Sequence, residues 1–301
     1  MSTLNLYAAA VLIWGSTWLA IKFQLGEVAP AVSVAYRFGL AALMLLAWCR
    51  WQRLPLRLPF AAHLSIAALG LMLFGLNYVL VYESERFLNS GVVAVVFSLI
   101  VFLNLIGMRL FFRTPIAPRV LIGAVAGVLG VLLLFWPEVA QFGRGSEAML
   151  GLALALGATV VAAGGNLIAY RNKALALPLA VTTGYGMAYG ALLVAGYVTF
   201  SGTPWTMAWD LPYVASLAYL TVFGSVAAFL SYLTLIHRIG ADRAGYVGVL
   251  VPLVALLMST LFEGYRWHAE AALGLLLCLA GNVLVLWQAD AAAPSASRAR
   301  S

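Results

Sequence analysis

Charged side chains are scarce in this sequence. Of its 301 residues, only 9% are Asp, Glu, Lys or Arg, whereas 64% are hydrophobic. A soluble domain carries about 25% charged residues, so this composition excludes a globule surrounded by water. The sequence also lacks the alternation of polar and apolar residues, in runs of about ten, that a membrane β-barrel requires. Long apolar runs recur instead, and a run of about 18 or more residues can cross a bilayer core as a helix.

Residues that support metal, redox or energy-coupling chemistry are also few. The two cysteines, Cys49 and Cys278, lie far apart in separate apolar runs, which predicts neither a disulfide nor a metal site. His63, His237 and His268 lie near the ends of apolar runs, and no Asp or Glu lies in the middle of one. A carboxylate proton relay or a charged channel ring is therefore not visible. Because a Walker-type glycine loop for ATP is absent as well, we predict no cofactor.

The apolar runs predict an all-α polytopic membrane protein with ten transmembrane helices. The ten predicted spans are Leu4–Leu25, Pro30–Cys49, Phe60–Tyr82, Leu88–Phe111, Arg119–Trp136, Met149–Tyr170, Leu179–Phe200, Leu211–Ile236, Ala241–Phe262 and Ala269–Gln288. The connections are short and rich in turn residues, which leaves no room for a separate soluble domain. The first span is too long for the core of a signal peptide and has no basic region before it. Residues 290–301 are predicted to form a disordered cytoplasmic tail.

The charges in the connections predict the orientation in the membrane. If the N-terminus is cytoplasmic, most Lys and Arg residues fall in cytoplasmic connections, and most Asp and Glu residues fall outside. The positive-inside rule then places both termini in the cytoplasm. We predict a multi-pass protein of the cell (inner) membrane. The same rule accounts for the net charge of +7, so nucleic acid is not a predicted partner.

Matching motifs in the two halves indicate an internal duplication. "LIGAVAGVLGVLLL" (Leu121–Leu134) ends the first five spans and "ALGLLLCLAGNVLVL" (Ala272–Leu286) ends the second five, each with two glycines seven residues apart. The opening motifs "WGSTWLAIK" and "AGGNLIAYR" pair Gly15 with Gly164. We predict one repeat over residues 1–144 and another over 145–289. A unit of five spans must insert upside down in its second copy, and inverted repeats are typical of transporters. A duplicated structural bundle or a receptor is the alternative.

Together these motifs resemble the EamA-type drug/metabolite transporters. The resemblance rests on "LIWGSTWLAIKF", on Arg37 seven residues after Pro30, and on Pro252 in "GVLVPLVALLMSTLFEG". It implies ten helices in two EamA repeats and export or exchange of amino acids, drugs and other small metabolites by a secondary mechanism. The first half departs from the family pattern: its fourth span has no proline matching Pro252, and "FFRTPIAP" lacks the usual acidic residue.

Polar and aromatic residues within the spans predict a central substrate cavity. Trp14 and Trp18 share one helix face, and Trp14 lies about 15 Å along its helix, where an indole N–H needs a polar partner. We predict thirteen substrate-binding candidates: Trp14, Ser16, Trp18, Asn77, Tyr78, Tyr82, Ser98, Asn104, Asn166, Tyr170, Ser225, Ser231 and Tyr232. Bonding between helices is the alternative role for the polar members of this set.

Three further residues are predicted to act in structure or gating. Gly15 allows a close approach of another helix. Pro252 frees a backbone carbonyl and is expected to kink the ninth span. Arg37 lies about 10 Å inside the second span, where it either locks helices together, with Glu83 or Glu85 as a partner, or holds a substrate carboxylate.

Three functions remain open from the sequence. The first is a monomeric exporter of small neutral or zwitterionic metabolites, preferably aromatic or hydrophobic amino acids, which works by alternating access. The second is a carrier of lipophilic drugs or other metabolites, by uptake or exchange. The third, an intramembrane enzyme, requires clustered His, Asp, Glu or Cys residues at one depth, and the sequence shows no such cluster.

Overall fold

A computed structural model describes residues 2–115, 118–136 and 147–292 of the chain, and the regular elements in these ranges are all helical. We number the α-helices in chain order: α1 Thr3–Lys22, α2 Pro30–Trp51, α3 Phe60–Gly70, α4 Asn77–Glu85, α5 Ser90–Phe97, α6 Ile100–Phe112, α7 Pro118–Leu134, α8 Glu147–Asn172, α9 Leu179–Phe200, α10 Leu211–Tyr219, α11 Ala228–Gly245, α12 Val247–Phe262 and α13 Ala269–Ala292. Residues 290–292 end α13, and the rest of the predicted tail lies outside the described residues.

Seven helical segments in the described part of the chain are long and apolar enough to cross a membrane. Three shorter apolar helices, Leu121–Leu134, Val247–Phe262 and Ala269–Val285, accompany them. Each predicted span coincides with one helix or two consecutive helices, and most ends agree within a few residues. The ninth differs most, since its long helix begins at Val247 instead of Ala241. The chain is therefore a multi-pass, all-helical membrane protein.

The helix ends follow from local sequence. The Ser2 hydroxyl accepts a hydrogen bond from the Asn5 backbone N–H at 3.2 Å and caps α1, and Asp210 caps α10 through the Tyr213 N–H at 2.9 Å. Pro30 occupies the first turn of α2, where its missing N–H costs nothing. Gly202 follows α9 with φ +70°, a conformation that glycine adopts without strain.

Two helix pairs approach each other closely through glycines. On α7 and α13, a Cβ added to Gly130 would lie 2.5 Å from the carbonyl oxygen of Gly274, and one on Gly281 would lie 2.5 Å from that of Gly123. The third span meets α9 in the same way, because a Cβ on Gly190 would lie 2.6 Å from the carbonyl oxygen of Gly70. Such backbone contact replaces the hydrophobic effect as a source of stability inside a membrane.

Two segments depart from α-helical geometry in a way that the sequence analysis did not predict. Leu71–Leu76, between α3 and α4, and Leu220–Ala227, between α10 and α11, are π-helical. Gly75 lies in the first segment and Gly224 in the second, and their separation along the chain equals that of Gly15 and Gly164, the paired glycines of the opening motifs. The two π-helical segments therefore occupy matching positions in the two halves. π-Helical turns are frequent at functional sites.

Candidate functional site

A cavity of about 360 Å³ lies between α1, the third span, α5, α6, α8, α11 and α12. Its wall is mostly apolar and contains seven large aromatic side chains. These are Trp14, Trp18, Phe74, Tyr78, Phe97, Phe229 and Tyr232. Ligand sites in proteins have volumes of about 300–1,000 Å³, so this cavity suits a small ligand.

Trp14 is held in the wall by one hydrogen bond and two ring contacts. Its indole N–H donates to the carbonyl oxygen of Gly224 at 3.2 Å. Gly224 lies in the second π-helical segment, where the α-helical pattern of hydrogen bonds is broken. The ring centroid lies 5.4 Å from that of Phe229 and 5.1 Å from that of Tyr232. The N–H is thus satisfied, and the indole is fixed as a rigid part of the wall.

A second aromatic group extends the wall toward the C-terminal end of α1. Trp18 packs edge-on against Phe97, with ring centroids 5.5 Å apart. Tyr78 packs against Phe38 at 4.6 Å, and the Arg37 guanidinium lies 4.8 Å from the Tyr78 ring centroid. Arg37 is not among the lining residues, so its positive charge lies behind the cavity wall, next to Tyr78.

Arg37 is almost fully buried, with 1% of its surface exposed. Its Nε donates to Ser225 Oγ at 3.1 Å, and a second nitrogen lies 3.5 Å from the Tyr82 hydroxyl. Of the two roles predicted for Arg37, these contacts correspond to a lock between helices. The partners are two hydroxyls and two aromatic rings in place of the expected Glu83 or Glu85 carboxylate.

The polar part of the cavity wall consists of amides and hydroxyls, without a charged side chain among the described lining residues. Asn77 donates through Nδ2 to the Leu73 carbonyl at 3.2 Å, while its buried Oδ1 has no partner. Asn166 Nδ2 donates to Asn104 Oδ1 at 3.3 Å. Thr17 and Ser98 bond to backbone carbonyls of their own helices.

The structure brings eight of the sixteen predicted site residues to this cavity. They are Trp14, Trp18, Asn77, Tyr78, Ser98, Asn166, Tyr232 and Pro252. Pro252 lies inside the continuous helix α12. Gly15 packs against Val254 of that helix, where an added Cβ would overlap the valine side chain.

Six substrate-binding candidates do not line the cavity. Ser16 bonds to the Tyr219 hydroxyl at 2.7 Å, and Tyr170 packs against Phe112 with 44% of its surface exposed. Tyr82 and Ser225 contact Arg37. Asn104 accepts a hydrogen bond from Asn166, and Ser231 is not among the lining residues. Bonding between helices, the alternative role, describes most of these contacts.

Four cavity residues with aromatic or polar side chains were not predicted. They are Thr17, Phe74, Phe97 and Phe229. The sequence offered a signal for Phe229, since it lies three residues before the predicted Tyr232 on the same helix face. For the other phenylalanines, the sequence of a membrane span does not distinguish a side chain that faces lipid from one that faces a cavity.

Sequence comparison finds related proteins over nearly the whole chain. The sequence profile of the EamA-like transporter family matches the chain twice, at residues 1–136 and 149–287. An uncharacterized transporter of Archaeoglobus fulgidus is 24% identical over 93% of this chain and 96% of its own length. PagO of Salmonella typhimurium is 25% identical, over 93% and 91% of the two chains. YedA of Escherichia coli K12, named an uncharacterized inner membrane transporter, is 29% identical over 84% and 80%.

A solved crystal structure has the same fold. It superimposes with a TM-score of 0.69 and 18% sequence identity, over 96% of this chain and 98% of the other. Because the profile covers nearly the whole sequence in two copies, the family assignment does not depend on a single motif. The chain is a member of the EamA-like transporter family.

Proposed function

We propose that this transporter exports aromatic and other hydrophobic amino acids by alternating access through the aromatic cavity. One observation carries the proposal: a cavity of about 360 Å³ whose described wall combines seven aromatic rings with amides and hydroxyls but no charged side chain. A neutral or zwitterionic ligand with an apolar side chain fits such a wall, because a ligand with net charge would lose its hydration without gaining a counter-ion.

The polar groups of the wall complement the backbone of an amino acid. The unpartnered Asn77 Oδ1 can accept a hydrogen bond from the ammonium group. The hydroxyls of Tyr78 and Tyr232 make no hydrogen bond with another described residue and can donate to the carboxylate. The Arg37 charge behind Tyr78 favours the carboxylate at that end of the cavity.

The proposed mechanism requires two inverted repeats of five transmembrane helices, over residues 1–144 and 145–289. The double match of the family profile and the two corresponding π-helical segments support this division. The contacts between helices also follow the same pattern in the two halves. Helix α1 packs on α11 and α12 of the second half, and its counterpart α8 packs on α4 and α6 of the first half. Helix α2 packs on its counterpart α9, and α7 packs on its counterpart α13.

The remaining parts of the proposal concern location, orientation and assembly. We place the protein in the inner membrane, like its relative YedA, with both termini cytoplasmic as the charges of the connections predict. We propose that the monomer is the working unit, because residues from both halves of one chain line the cavity.

Flux measurements in liposomes test the substrate class. Purified protein in liposomes loaded with radiolabelled tryptophan is expected to give saturable efflux, which phenylalanine and leucine inhibit and lysine and glutamate do not. Protein-free liposomes are the control. Absence of amino-acid flux under any imposed gradient, together with saturable flux of a neutral lipophilic dye, would support the second hypothesis, a lipophilic drug carrier.

A smaller effect is expected from Asn104→Leu. Asn104 lies outside the cavity but accepts the hydrogen bond that orients the Asn166 amide. Its removal leaves the Asn166 Nδ2 without that partner, at a cost of about 1 kcal/mol, which corresponds to a roughly fivefold higher KM for tryptophan. Tyr170→Phe is the matched control, because its ring contact with Phe112 is retained. Equal KM values for the two variants would contradict this role.

A further inference from the structure

The C-terminal ends of α1, α4 and α12 meet the N-terminal end of α5 at one place. Contacts there connect the two proposed repeats. The Lys22 ammonium donates to the backbone carbonyls of Glu85 and Leu88 and lies 3.6 Å from Glu263 Oε1. The Glu263 carboxylate also accepts hydrogen bonds from the backbone N–H and the hydroxyl of Ser90. We call Lys22, Glu85, Ser90 and Glu263 the Lys22 cluster.

Glu85 is the unusual member of the Lys22 cluster. It is the last residue of α4, and none of its surface is exposed. Both carboxyl oxygens are buried and have no hydrogen-bond partner. The sequence analysis named Glu85 and Glu83 as alternative partners of Arg37. Glu83 is different in the structure, since it pairs with Arg86 at 2.8 Å and is partly exposed.

An ionised carboxylate in such a position would lose its hydration without replacement. Buried groups of this kind become neutral by binding a proton. The charged groups that act on the Glu85 carboxyl are Lys22 of α1, Glu263 next to α12 and Arg37 of α2. Both cations are committed to other partners, Lys22 to carbonyls and Glu263, and Arg37 to two hydroxyls.

We propose that Glu85 is the proton-binding site of this transporter, neutral while the Lys22 cluster is closed and ionised when the cluster opens. The coupling to substrate rests on the proposed function, whereas the protonation of Glu85 does not. Binding adds one proton to a carboxyl oxygen and removes one negative charge, and no other bond changes.

The contacts of Lys22 give the proposed site its two states. In the closed cluster, Glu263 of the second repeat pairs with the ammonium, and the Glu85 carboxyl oxygens have no hydrogen-bond partner. Opening the cavity at this end must separate Glu263 from Ser90 and Lys22, because these contacts join the two repeats. The released ammonium can then pair with an ionised Glu85, and the proton leaves to water. For net transport, the proton that Glu85 takes up as the cluster closes must come from the opposite side of the membrane through the cavity, and one proton then crosses with each cycle.

Chemical labelling tests protonation without any substrate. Dicyclohexylcarbodiimide is apolar and reacts with protonated carboxyls, so we expect mass spectrometry of the full-length protein in liposomes to find the adduct on Glu85. The adduct should decrease as the pH is raised, and Glu83 should remain unlabelled as the internal control. Absence of the adduct from Glu85, or equal labelling of Glu83, would overturn the proposal even if the protein transports amino acids.

A transport experiment tests the coupling with Glu85→Gln, which keeps the shape of the protonated side chain. We expect this variant to retain saturable tryptophan exchange across the membrane, because exchange needs no net proton movement. It should fail to accumulate tryptophan under an imposed pH gradient, whereas wild type and Glu83→Gln accumulate it. Accumulation by Glu85→Gln equal to wild type would overturn the coupling, whereas a wild type without tryptophan flux in any assay would contradict the proposed function alone.

Discussion

Trp14→Ala is expected to lower kcat/KM for tryptophan transport at least about tenfold. The substitution removes two ring contacts in the cavity wall, with Phe229 and Tyr232, and the hydrogen bond to Gly224. An aromatic pair contributes about 0.5–1.5 kcal/mol beyond its buried area, and about 1.4 kcal/mol corresponds to a factor of ten. Initial rates of radiolabelled tryptophan efflux at several concentrations measure the effect.

Two further variants separate the cavity role of Trp14 from general damage to the protein. Trp14→Phe keeps a ring in the wall but loses the N–H donor, so we expect an intermediate loss of a few fold. Trp209→Ala removes an indole that is 82% exposed and should transport like wild type. Wild-type transport by Trp14→Ala in a monodisperse, folded preparation would contradict the assignment of the cavity as the substrate site.

Gly70→Ala is expected to destabilise the protein by about 2 kcal/mol. A Cβ at this position would overlap the carbonyl oxygen of Gly186 and lie 3.1 Å from the backbone nitrogen of Gly190. Backbone atoms cannot rotate away as a side chain can, so the third span and α9 must move apart and lose packing along their contact. Thermal unfolding of the purified protein in detergent, monitored by circular dichroism, measures the loss.

The matched control is Gly196→Ala on α9, where an added Cβ meets nothing within 4 Å. Alanine is favoured over glycine within a helix by about 1 kcal/mol, so this variant should be as stable as wild type or slightly more stable. If the two alanine variants unfold at the same temperature, the close approach of the third span and α9 does not stabilise the fold as we infer.

The sequence predicted the helices well because the bilayer imposes a simple rule on them. Every backbone group in hydrocarbon must be bonded internally, so each long apolar run becomes a helix. The predicted span over Leu179–Phe200 coincides with α9 in every residue, and the others differ mainly at their ends. Turn residues and prolines, such as Pro30, determine those ends, and they are visible in the sequence.

The cavity was predicted less completely, since its wall depends on how each helix is rotated about its axis. Asn77 and Tyr78 face the cavity, whereas Tyr82 lies one turn further along and contacts Arg37. A helical wheel of this segment does not distinguish these directions, because its apolar residues surround the whole helix. For Glu85, proximity to a connection suggested exposure, while the neighbouring helices bury it completely.

The π-helical segments have a consequence for how the cavity could change shape. Each lies immediately before residues of the cavity wall: Asn77 and Tyr78 follow the first, and Phe229 and Tyr232 follow the second. Moving such a bulge by one residue along the chain rotates the residue that it passes by roughly 100° about the helix axis, while the helices on either side keep their orientation. Each half of the protein thus contains a joint that can exchange the side chains presented to the ligand without sliding a whole span through the lipid.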